Sequence, residues 1–126
     1  DVALLRKGKH AVLDRAGVLS AFDAAAIEQV ASEMRASPRA SRLRVVTYAR
    51  TPHAYAPTHR AEMENSKPSK KFATELFNNA KLGRNGVLIL LLTEERRIEI
   101  EVGRHLNEAY GKLGKPYLER SMIPVL

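Results

Sequence analysis

The chain has 126 residues, 28% charged and 44% hydrophobic, and at this length folding removes roughly two-thirds of the unfolded surface from water, enough for one core without staples. It contains no cysteine, which excludes disulfides, thiolate metal sites and cysteine nucleophiles, and its net charge of +7 favours anionic partners. The longest apolar run, residues 87–92, is far below the ~20 residues that cross a bilayer, so no transmembrane helix is expected in this segment.

Val12, Leu13 and Asp14 form a short apolar approach to a turn at Gly17. Ser20 and Asp23 make an [ST]-x-x-[DE] box, so a helix is predicted to start at Ser20. Its apolar positions Ile27, Val30, Ala31 and Met34 recur at helical spacing on one stripe, and Pro38 forces the preceding residue out of helical geometry. Residues 43–48 are rich in β-branched and aromatic types and read as a strand. Residues 49–68, with three prolines, His53 and His59, have no sustained period and read as a long loop.

A second helix is predicted from a Ser69 cap, with Phe72, Ala73, Leu76, Phe77 and Ala80 on one face and Gly83 as its end. The continuous apolar run 87–92 is the signature of a central strand covered on both faces. Residues 97–102 alternate strictly, placing Ile98, Ile100 and Val102 toward the core and Arg97, Glu99 and Glu101 outward. With a polar turn between them, 87–92 and 97–102 are predicted to form a β-hairpin. Beyond Gly103, Leu106, Ala109, Tyr110 and Leu113 repeat at helical spacing. This order predicts a layered α/β sandwich with Leu88, Ile89, Leu90, Ile98, Ile100, Ile27 and Phe77 buried.

The positive charge is concentrated: residues 35–84 hold eleven Lys and Arg against three Glu, a local +8. Arg35, Arg39, Arg42, Arg44, Lys70 and Lys71 are therefore the candidate partner-binding residues. Interleaved aromatics, a helix-turn-helix signature and a glycine-rich RNA-binding strand are all missing, so no specific nucleic-acid recognition is expected. His10, His53, His59 and His105 do not have zinc-ligand spacing. No Asp-x-Asp pair, Arg-His-Gly triplet or phosphate loop is present, and Arg104-His105-Leu106 is only superficially like the second.

Taken together, Val12-Leu-Asp-Arg-Ala-Gly-Val-Leu-Ser20, the Phe72, Leu76 and Phe77 positions, Asn85-Gly-Val-Leu-Ile-Leu-Leu-Leu92, Arg96-Arg-Ile-Glu-Ile-Glu-Val-Gly103 and Met122-Ile-Pro124 resemble the TPM domain. That family is named after a thylakoid lumen protein, a photosystem II repair protein and a nematode receptor modulator. The resemblance implies a three-layer α/β/α sandwich with a central mixed sheet. It also implies one of two roles: an accessory or assembly subunit on a membrane-associated complex, photosynthetic or respiratory, or a divalent-metal-dependent acid phosphatase.

The resemblance places a cation such as calcium at Asp14, Asn85 and Glu101, which match acidic or amide positions of the family's blocks. Each also has a structural reading: Asp14 anchoring the turn before Gly17, Asn85 opening a turn, Glu101 pairing with Arg97 or Arg104. After Gly103 the family's usual glycine, glutamate and aspartate are replaced by His105, Asn107 and Lys112, which weakens the cation site. The accessory role is accordingly expected, with no required cofactor. The expected setting is the thylakoid lumen or a membrane surface, with a mitochondrial or bacterial exported location as the alternative. The start on Asp1 without a leader, and an end close after the Met-Ile-Pro block, lead us to expect a single domain over residues 1–126 lacking its C-terminal helix and any N-terminal targeting segment or anchor.

Overall fold

The computed structural model describes residues 10–38, 40–55 and 67–104. In chain order the elements are β1 (Val12–Asp14), α1 (Ala21–Ala36), β2 (Arg42–Tyr48), a single 3-10 turn (His53–Tyr55), α2 (Pro68–Ala80), β3 (Gly86–Leu92) and β4 (Arg97–Val102). The strands form one mixed sheet in the order β1-β2-β3-β4, parallel through β3 and antiparallel between β3 and β4. The hairpin forms as its apolar pattern predicts. The helical pattern after Gly103 and the Met-Ile-Pro block lie outside the described residues.

The sheet is covered on both faces because its strands carry apolar side chains on both. Val46, Leu88, Leu90 and Leu92 alternate onto one face and pack against Phe72, Ala73, Leu76 and Ala80 of α2. Leu43, Val45 and Val87 point the other way, against Ala31, Ile27 and Met34 of α1. Leu91, Ile98 and Ile100 continue that second face as a third cluster. Leu88, Leu90, Ile98 and Ile100 are buried as expected, whereas Ile89, Ile27 and Phe77 sit half-buried at the rims of these clusters.

Both helices begin and end for local reasons. Ser20 caps α1, its hydroxyl accepting the Asp23 N–H at 3.0 Å, and the Ser37 N–H and hydroxyl close the last turn on the Met34 carbonyl. Val30 does not join the buried stripe: at 3.6 residues per turn it falls at the margin of the arc held by Ile27, Ala31 and Met34, and it is 47% exposed. α2 starts one residue earlier than its predicted cap, with Lys67 as N-cap and Pro68 in the first turn, where its missing N–H costs nothing. It ends at Lys81 in the left-handed conformation rather than at Gly83. Gly103 is needed for close approach, since a Cβ there would stand 2.2 Å from the Arg84 carbonyl oxygen.

Two parallel crossovers, β1-α1-β2 and β2-α2-β3, step the same way across the sheet, yet their helices lie on opposite faces. The two connections are therefore of opposite hand, against a strong general preference for right-handed crossovers. No helix among the described residues is long and apolar enough to cross a membrane.

Candidate functional site

Asp14 ends β1 and turns the chain into α1. One carboxylate oxygen accepts the Val18 N–H at 3.1 Å and the Thr47 hydroxyl, and the other accepts the Leu19 N–H at 2.9 Å. Thr47, fully buried on β2, in turn accepts the Ala16 N–H at 3.1 Å. Burial alone would raise the Asp14 pKa. The Thr47 hydroxyl and the N–H groups of Leu19, Val18 and Gly17 outweigh it and hold the carboxyl below its ordinary value. The side chain is a preorganised clasp for the 15–19 turn, and its lone pairs are largely spoken for.

The other acidic side chains of the sheet lie on the opposite face, under α2. Strand pairing sets Glu101 beside Leu88 and Glu99 beside Leu90, both on the face that α2 covers. Glu101 accepts the Thr74 hydroxyl at 2.9 Å and pairs with Lys70 at 3.3 Å. Glu99, 7% exposed, accepts the buried Ser69 hydroxyl at 2.7 Å, and Arg97 donates to the same Ser69 oxygen at 3.1 Å. The expectation that Glu99 and Glu101 point to solvent is thus corrected. Alternation separates two faces of a strand but does not say which is wet, and here a helix covers both. Ser69 is likewise a buried partner of Glu99 and not a helix cap.

Asp14, Asn85 and Glu101 do not come together. Asp14 is level with Leu91 across the sheet, at the C-terminal ends of the parallel strands, whereas Asn85 precedes Gly86 at the opposite end. The offset is about 20 Å at ~3.3 Å per residue. Glu101 sits opposite Leu88, midway between those two levels, but on the α2 face, while Asp14 shares the α1 face with Thr47. Calcium needs its oxygens within about 2.3–2.6 Å of one point, so these three side chains do not fit a single ion. Among the described residues no group of three or more His, Asp or Glu is placed to hold a metal. Asn85 instead presents its backbone carbonyl to the Arg42 N–H.

The basic candidates divide. Arg44 is 3% exposed and donates to the Leu43 carbonyl at 2.7 Å, so it belongs to the interior and not to a docking surface. Burial, with the positive Arg42 and Arg35 nearby, pushes its pKa down against the opposing charge of Glu28. Arg42 is half-buried and donates to the Lys81 carbonyl at the end of α2. Arg35 and Lys70 are exposed and Lys71 is half-buried, while Arg39 lies outside the described residues. The Ser69, Glu99 and Arg97 network escaped the sequence reading because no motif marks it. The one available signal was that a sheet with two apolar faces leaves no face for charges except against a helix.

The TPM domain model matches residues 12–125. The fold is similar to the solution structure of the N-terminal domain of a protein from P. gingivalis, at 25% identity and a TM-score of 0.68, covering 95% of this chain and 68% of that one. It is also similar to the N-terminal domain of a Corynebacterium glutamicum protein, at 21% identity and a TM-score of 0.59, covering 80% of this chain and 58% of that one. No curated protein matches the chain. Matched across nearly its whole length and folded as its relatives are, the chain belongs to the TPM domain family.

Proposed function

We propose that this TPM domain is a non-catalytic accessory or assembly module that docks on a membrane-associated protein complex, photosynthetic or respiratory, and needs no cofactor for that task. One observation carries the reading: the acidic residues aligned with the family's cation positions are divided between the two faces of the sheet and engaged in structural contacts. Asp14 clasps a turn, and Glu101 holds α2 through Thr74 and Lys70. Hydrolysis of a phosphate ester needs charge or metal gathered where anionic oxygens develop, and dispersed carboxylates do not supply it. The exposed part of the basic stretch, including Arg35, Lys67 and Lys70, supports docking on an acidic protein face.

The test is turnover of an aryl phosphate with and without calcium or magnesium, run beside co-purification in gentle detergent with partners identified by mass spectrometry. The reading expects no metal-dependent turnover and recovery of a defined complex. Turnover that requires metal, and is lost in Glu101→Ala while the variant stays folded, would establish the acid phosphatase reading in its place.

A further inference from the structure

Every large hydrophobic side chain exposed among the described residues belongs to α1 or the turn that leads into it: Val18 at 50%, Phe22 at 80% and Val30 at 47%. Singly exposed apolar residues are ordinary, but clustering on one element is not. Phe22, Ala26 and Val30 are four residues apart and form one continuous ridge on the side of α1 turned away from the sheet. The small exposed residues Ala25 and Ala26 let another backbone approach closely.

The ridge is held in place before any partner arrives. The Asp14 carboxylate fixes the N–H groups of Val18 and Leu19, and the Ser20 cap fixes the first turn in which Phe22 sits. Ordering costs that usually reduce affinity are thereby already met by the fold.

Charge decides what fits. α1 carries Asp23, Glu28 and Glu33 against Arg35, a net −2 within a chain of +7. Glu28 is turned back to the Ala11 N–H and His10, which leaves Asp23 and Glu33 exposed beside the ridge. An anionic membrane or nucleic acid would meet like charge here. A second copy offers no large exposed hydrophobic among its described residues except this same face, and pairing it with itself would oppose acid to acid. We infer that the outer face of α1 is a docking surface for an amphipathic segment of another protein whose apolar ridge is flanked by Lys or Arg. This surface meets the basic stretch only at Arg35, in the last turn of α1, and does not depend on it.

The probes are two synthetic helical peptides with the same leucine ridge at i, i+4 spacing, one flanked by Lys and one by Glu, titrated into the isotope-labelled full chain. The Lys-flanked peptide is expected to bind at least about tenfold more tightly, with shifts confined to Val18 and the outer face of α1. Phe22→Ser with Val30→Ser should weaken it by about tenfold or more without changing the remaining spectrum, because both side chains lie outside the core. Asp23→Lys with Glu33→Lys should reverse the preference toward the Glu-flanked peptide. Equal binding of both peptides, or shifts that map away from α1, would overturn the inference. So would a Phe22-dependent dimer in sedimentation, which gives the face to a second copy, or Phe22-dependent binding to vesicles containing anionic lipid, which gives it to a membrane.

Discussion

Asp14 shows how one carboxylate serves both as a family motif residue and as a structural part. Replacing it with Ala leaves the Val18 and Leu19 N–H groups and the buried Thr47 hydroxyl without their acceptor, and hydrogen bonds to a charged group contribute about 1.5–3 kcal/mol each. Partial access to water moderates the loss, so Asp14→Ala is expected to destabilise by about 2–3 kcal/mol in denaturant unfolding. The pH dependence has a definite sign. Since the folded-state pKa lies below the ordinary aspartate value, Asp14 contributes its stabilisation above that ordinary value and loses it as pH falls through the folded pKa. The difference in unfolding free energy between the wild-type chain and Asp14→Asn should therefore be constant at neutral pH and shrink below about pH 4. A constant difference down to pH 2 would show that the ionised form is not what the turn needs. That Asp14 precedes a glycine turn was legible in the sequence. That Thr47, 33 residues away, completes the clasp was not, because nothing local in either segment announces a contact set by strand pairing.

At the scale of elements, α2 is joined to β4 by polar as well as apolar contacts. Phe72, Leu76 and Ala80 pack on the sheet, while Ser69, Lys70 and Thr74 of the same helix engage Glu99 and Glu101. Ser69→Ala should cost about 1 kcal/mol, and Glu99→Ala more, about 2–4 kcal/mol, because it leaves the buried Ser69 hydroxyl without its acceptor and removes the carboxylate that lies 4.0 Å from the Arg97 guanidinium. In a double-mutant cycle the two losses should not add, with a coupling of about 0.5–3 kcal/mol. Strict additivity would mean that the 2.7 Å contact contributes nothing of its own. The periods of the sequence revealed β3, the hairpin and the buried sides of both helices, since those depend on spacing within a single element. They could not reveal that the charged side of β4 is roofed by α2, since that depends on how elements are placed against one another.

The whole molecule divides its charge as unevenly as its chain does. α1 carries net negative charge beside an apolar ridge, and residues 35–84 carry +8, a segregation already visible in the sequence. The structure removes Arg44 from that field's usable surface and ties Arg42 to the end of α2. Lys70 is partly compensated by Glu101, which leaves Arg35, Lys67, Lys81 and Arg84 among the exposed cations. If these charges steer the domain to an acidic face of its complex, encounter should depend on ionic strength, because exposed charges are screened over about 10 Å at 0.1 M salt. The association rate with the co-purified complex should fall between low and physiological salt. Reversing Lys67, Lys81 and Arg84 to Glu should lower it by about tenfold or more at low salt. The dissociation rate should change much less, since rim charges act on encounter and not on the packed contact. The fold should be kept, because exposed substitutions away from special contacts usually stay within about 0.5 kcal/mol. Surface-immobilised complex and a salt series measure both rates. An association rate that is unchanged by the reversal and flat across the series would remove the basic stretch from the docking surface.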